Sequence, residues 1–197
     1  MAQKLKLFLG MAGLALLIVV AMVAYNMLVS RVDPADRFAF LEEWDGAEAE
    51  VYAHRHEAPD FALVDWDGNS RRFSDLATGQ PTVLNFWASW CPSCRLEKPG
   101  FEMVYRDRGA EVKFVMLGLA DGVRETVETG QRYIEEGGFT LPVYFDTLQE
   151  GVMAHGIRFL PTTVFIDREG YIVTEMVGAV DEQTLRAVID FLLGTAD

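Results

Sequence analysis

Three observations predict an α/β domain with parallel strand pairs and a terminal antiparallel hairpin, carried behind one transmembrane helix. From residue 82 onward, apolar runs of strand length alternate with amphipathic runs, the pattern of strands joined by right-handed helical crossovers. The chain's two cysteines, Cys91 and Cys94, stand where one such strand meets a helix. An uncharged, almost wholly apolar stretch runs from Leu7 to Val29. At 197 residues and 50% hydrophobic, the chain has room for one globular domain plus an extra segment, and buries enough to need no disulfide staple.

As a helix, the stretch 7–29 would span roughly 35 Å, enough for a bilayer core. Lys4 and Lys6 precede it, whereas Asp33, Asp36, Glu42 and Glu43 follow, so the positive-inside rule places the N-terminus in the cytoplasm. The weak small-residue site at Ala21-Met-Val-Ala24 and the length of the run favour a retained anchor over a cleaved signal peptide. Residues 1–30 are therefore read as the anchor in the cell membrane. Residues 31–57, with Phe38, Phe40, Leu41 and Trp44 at loosely helical spacing, are read as a stalk, and 58–197 as the compact extracytoplasmic domain.

Within that domain, Phe61 to Val64 and Arg72-Phe73 flank Asp67-Gly68-Asn69, a hairpin signal, and Ser74 can cap a short helical turn. A buried strand follows over Thr82–Ala88, then a helix from Pro92 to about Arg108 with Pro99 inside it. Glu111–Ala120 reads as a strand and Val123–Glu136 as an amphipathic helix ended by Gly137-Gly138. Pro142–Asp146 reads as a short strand and Thr147–His155 as a helix, with His155 as its C-terminal cap. Strands over Thr162–Asp167 and Tyr171–Val177 enclose a turn at Arg168-Glu-Gly170, and a helix over Asp181–Leu193 closes the domain.

The cysteine pair carries the chemistry. Thiol–disulfide exchange needs a thiolate, and the free N–H groups and dipole of a helix N-terminus favour one, so Cys91 is the expected nucleophile and Cys94, one turn inward, the resolving thiol. Pro92 suits the first helical position. A bridge over two intervening residues would constrain little chain, which disfavours a structural staple. His54, His56 and His155 lack a zinc-finger spacing, so no metal is expected. Ala88 occupies the position where a peroxidatic cysteine would have a threonine. A net charge of −13 with sparse Lys and Arg excludes a nucleic-acid partner held by a basic patch.

Phe86-Trp-Ala-Ser-Trp-Cys-Pro-Ser-Cys94, Pro99 five residues later, and Leu160-Pro-Thr-Thr-Val-Phe-Ile-Asp167 resemble the thioredoxin superfamily. The anchor, the Ala58-Pro-Asp-Phe61 opening, Asn85-Phe-Trp87 and an extra helix–strand unit between residues 121 and 146 are similar, more narrowly, to the TlpA/ResA-type extracytoplasmic thioredoxins. The resemblance implies a thioredoxin-like fold: a central mixed sheet flanked by helices, with an N-terminal hairpin and a central helix–strand insert. It implies a cis peptide before Pro161, which with Leu160 would shape a groove for a substrate strand. Trp90, beside Cys91, is read as contact surface and Trp87 as packing. Asn85 stands where cytosolic thioredoxins carry a buried aspartate and cannot act as a base. Glu97, three residues after Cys94, matches a glutamate that lies near the thiols in ResA-like proteins and is expected to assist their deprotonation.

The resemblance thus implies a membrane-tethered thiol-disulfide reductase that needs no cofactor. Its electrons would come from a membrane thiol transporter of the CcdA or DsbD kind. Its clients would be disulfide-bearing proteins such as apocytochrome c or methionine sulfoxide reductases. Two alternatives remain from the residues: a copper-delivery protein gripping Cu(I) through the reduced pair with Met153 or His155 nearby, and a dithiol oxidase that differs only in redox poise.

Overall fold

The computed structural model describes residues 13, 17–20, 22–23, 56–77 and 79–195. The short N-terminal pieces are helical, and among the described residues no helix is long and apolar enough to cross a membrane. The remainder of the expected anchor, 1–30, and of the stalk up to residue 55 lies outside the described residues. The compact unit takes in the described residues from His56 onward. His56 and Glu57, assigned from sequence to the stalk, pair with a core hairpin and belong to the domain.

The strands are β1 (His56–Glu57), β2 (Ala62–Val64), β3 (Ser70–Arg72), β4 (Thr82–Trp87), β5 (Lys113–Gly118), β6 (Val143–Phe145), β7 (Thr162–Ile166) and β8 (Tyr171–Val177). The helices are α1 (Phe73–Leu76), α2 (Pro92–Arg108), α3 (Val127–Gly137), α4 (Glu150–Ala154) and α5 (Glu182–Leu193). One eight-stranded mixed sheet results, in the order β1-β8-β7-β4-β5-β6-β2-β3. Strands β4, β5 and β6 run parallel, while β7 and β8 complete one side antiparallel and the β2–β3 hairpin the other. This is the expected thioredoxin-like α/β fold, with its hairpin and helix–strand insert.

Strand β4 is buried at every position because it lies between β5 and β7 and both its faces are covered. Strand alternation then sorts its side chains. Leu84 and Phe86 join Val115, Leu117, Val164 and Ile166 in a core closed by Phe61, Leu63 and Phe73. Asn85 and Trp87 point to the opposite face, where they meet α2 and α3 through Glu97 and Tyr133. Gly118 sits against the Trp87 and Phe145 rings, and a side chain there would press on Phe145. Helices α2 and α5 are tied by Arg108–Asp190 and Arg186–Asp107 ion pairs of 2.7 Å.

Three helix starts differ from expectation, each because a nearby carboxylate takes the free N–H groups. The Ser74 N–H donates to Asp60 Oδ1 at 2.9 Å, and the helix shows no side-chain cap from its own N-cap residue. Asp121 Oδ1 accepts from the N–H groups of Val123, Arg124 and Glu125, which holds those residues in a loop, and α3 begins only after a Thr126–Thr129 capping box. Asp146 Oδ2 accepts from the Val152 N–H at 2.9 Å, and Gln149 takes a left-handed φ of 58°, so α4 starts at Glu150 rather than at 147.

Candidate active site at the turn from strand to helix

Strand β4 delivers the chain to a tight turn in which the Cys91 N–H donates to the Ala88 carbonyl at 3.2 Å. Cys91 is the N-cap of α2, in extended conformation, and Pro92 takes the first turn, where its missing N–H costs nothing. The Cys94 N–H donates to Cys91 Sγ at 3.2 Å. Cys91 and Cys94 are disulfide-bonded, with Cα atoms 5.3 Å apart, and both are buried. An N–H aimed at one sulfur favours a negative charge on that sulfur after reduction. The geometry therefore distinguishes the two cysteines, with a donor N–H directed at Cys91 Sγ.

The Leu160–Pro161 peptide is cis. Thr162 pairs with Phe86 across the β4–β7 ladder, so Pro161 lies level with Trp87, at the end of β4 where the cysteine turn begins. The Pro161 carbonyl accepts from the Gly178 N–H at 2.8 Å. Pro161 is buried, Leu160 half-buried and the preceding Phe159 exposed. Trp90 is 40% exposed, and the Arg124 guanidinium lies 3.5 Å from the centre of its ring. Trp87 is fully buried, as its reading as packing required.

Glu97 is buried one helical turn beyond Cys94, on the same face of α2. Its Oε1 accepts from Asn85 Nδ2 at 2.9 Å and its Oε2 from the Val180 N–H at 3.0 Å. Asn85 Nδ2 also donates to Thr163 Oγ1 at 3.0 Å, which fixes the amide between the two. Burial pushes the Glu97 carboxyl above the ordinary glutamate range, against the opposing pull of the Val180 N–H, the Asn85 amide and the charge of Lys98. Asn85 is therefore no base itself but orients the carboxylate that can be one.

Two site residues escaped the sequence reading. Glu125, included from sequence in the amphipathic helix Val123–Glu136, is buried in the loop before α3. Its Oε2 accepts from both the N–H and the hydroxyl of Ser89, at 3.0 and 2.7 Å. Together with Arg124 on Trp90, it grips the two residues that precede Cys91. Lys98 is fully buried on α2, and its spacing from Cys94 and Phe101, the i, i+4 and i+7 positions of one helix face, was the available signal.

His155, expected to cap α4, instead packs its ring against Phe61, Phe73 and Phe86. Burial holds it neutral, lowering its pKa to about 4. That cluster belongs to the sheet face opposite Asn85 and Glu97, so the histidine of the copper reading is turned away from α2. Met153 is exposed on α4. Among the described residues no group of three or more His, Cys, Asp or Glu is arranged to hold a metal.

The AhpC/TSA family profile matches residues 55–175. The thiol-disulfide oxidoreductase ResA of Halalkalibacterium halodurans is 32% identical over 139 residues, covering 69% of this chain and 75% of that protein. Among solved structures, a putative thiol:disulfide interchange protein DsbE from Chlorobium tepidum superposes with a TM-score of 0.62 at 26% identity, over 72% of this chain and 97% of the other. StoA from Bacillus subtilis superposes with a TM-score of 0.57 at 25% identity, over 66% and 95%. The similarity spans the strand, the cysteine turn and the cis-proline loop described above.

Proposed function

Since this chain belongs to the thioredoxin-like AhpC/TSA family and is a thiol-disulfide oxidoreductase of the ResA, StoA and DsbE type, we propose that it works as a membrane-tethered reductant of protein disulfides outside the cytoplasm. The observation that carries the exchange reaction is the Cys94 N–H aimed at Cys91 Sγ on the first turn of α2. Reduced Cys91 attacks a client disulfide as the thiolate, releasing one client thiol and forming a mixed disulfide. Cys94 then attacks the Cys91 sulfur, releasing the second client thiol and closing the Cys91–Cys94 bond. The client gains two electrons and the CxxC loses two. The proton of Cys94 passes to Glu97, the buried carboxylate one turn away. Trp90, Leu160 and Pro161 form the contact surface for the client strand.

The apolar 7–29 stretch and its flanking charges support the tether and the outward orientation. Similarity to ResA supports clients of the apocytochrome c or sulfoxide reductase kind and an electron donor of the CcdA or DsbD kind. The reduction potential of the full chain, equilibrated against glutathione or dithiothreitol buffers, tests the direction. A value near or below about −270 mV supports a reductant, whereas one near about −120 mV makes the protein a dithiol oxidase.

A further inference from the structure

Lys98 is buried completely, and its Nζ has no hydrogen-bond partner among the described residues. The ammonium sits 4.2 Å from the centre of the Trp87 ring. Contact with an indole face is attractive, yet it replaces little of the hydration that a lysine loses on burial. An apolar side chain of similar volume would fill the same space without that penalty. Trp87 comes from β4 and is itself tilted against Tyr133 of α3, and Glu97 precedes Lys98 on α2. Glu97 on the Asn85 amide and Lys98 on the Trp87 ring thus lie side by side between α2 and one face of β4, and the opposite charge of each offsets part of the other's burial.

We propose that Lys98 is a positioning residue for the exchange reaction: it keeps Glu97 in the carboxylate form beside Cys94, and it is buried for that role at the expense of stability. The inference rests on Glu97 being the proton acceptor in the resolving step. Two forces meet at Glu97. Burial favours the neutral acid, which cannot take a proton, while the Asn85 amide, the Val180 N–H and the Lys98 charge favour the anion. Of these three, only Lys98 can be replaced by an apolar residue without removing a hydrogen bond from the carboxylate. Burial also lowers the affinity of Lys98 for its own proton, and the charge on Glu97 counters that. Each ionised group thus sustains the other within one water-poor site.

The test is single-turnover oxidation of the reduced full chain by glutathione disulfide between pH 5 and 8, with acid quench and mass detection of the glutathionylated intermediate. Cys91 takes one glutathione and releases the other as a thiol. Cys94 then displaces the second from the Cys91 sulfur, so both electrons end on glutathione. In the wild-type protein the resolving rate should show an acid limb set by Glu97, above the ordinary glutamate range. Lys98→Met should move that limb up by about one pH unit, a loss of about tenfold in rate at pH values below it. Glu97→Gln should abolish the limb, and adding Lys98→Met to it should change the rate no further. Lys98→Met should also unfold at a higher urea concentration than wild type. A limb lost in Glu97→Gln but unmoved in Lys98→Met overturns the role of Lys98 alone. A limb that persists in Glu97→Gln overturns the proton-acceptor reading itself. A lower urea midpoint for Lys98→Met shows that the lysine serves stability and overturns the second half of the proposal.

Discussion

At the scale of single residues, the site is a set of polar groups held where water does not reach them. Glu97 illustrates the consequence: its carboxylate is fixed by Asn85 and Val180, so a shape-conserving change should disturb chemistry more than structure. Glu97→Gln is expected to slow resolution of the mixed disulfide by at least about tenfold, visible as accumulated glutathionylated protein in a quench experiment. His155 makes an opposite kind of prediction, one of stability. Its ring stays neutral in the folded chain down to about pH 4, while in the unfolded chain it takes a proton near 6.5. The stability it contributes is complete above pH 6.5 and is lost as the pH falls toward 4. Between pH 7.5 and 4.5 the wild type should lose up to about 3 kcal/mol more than His155→Phe, as measured by urea unfolding. Cys91 and Cys94 were legible from their own spacing at a strand-to-helix turn, whereas Pro161 and Glu97 were legible only through the resemblance their surrounding motifs carry. The sequence hid Glu125 and Lys98 because charged residues default to solvent in any pattern reading, and only the packing of α2 and of the loop before α3 puts them inside.

At the scale of elements, type and order were legible and starting points were not. The strongly apolar β4 and β5 declare themselves through continuous buried runs. By contrast, the onset of α3 and α4 depends on whether Asp121 and Asp146 spend their oxygens on the following backbone, and helical periodicity says nothing of that. The displaced start of α3 has functional weight, since it frees Glu125 to reach back to Ser89. Glu125→Ala should leave the Ser89 N–H and hydroxyl without their acceptor and cost about 1–3 kcal/mol of stability. Because the same loop steadies the turn before Cys91, this variant should also slow attack on glutathione disulfide, whereas Thr126→Ala, which breaks only the capping box, should cost about 1 kcal/mol and leave the exchange rate near wild type. Urea titration and single-turnover rates on the two variants separate the effects.

At the scale of the whole molecule, tether and client choice can both be read from one strain of cells. Cys94→Ser should accumulate mixed disulfides through Cys91 with clients in the membrane fraction, and removing residues 1–30 should release the protein from that fraction. Capture of no protein at all would count against exchange with protein clients. The order of the sheet carries a different consequence. Glu57 in β1 and Ala62 in β2 belong to strands six positions apart, which in a flat sheet means roughly 29 Å. The chain between them can reach at most about 17 Å. The sheet must therefore bend like staves inside a hoop, and residues 58–61 are the hoop, fastened at one rim by the Ala58 N–H on the Gly170 carbonyl and at the other by the Phe73 N–H on the Phe61 carbonyl. A single backbone nick beside the exposed Asp60 should let both rims spring apart together, so that limited proteolysis there would dismantle the domain instead of trimming an end.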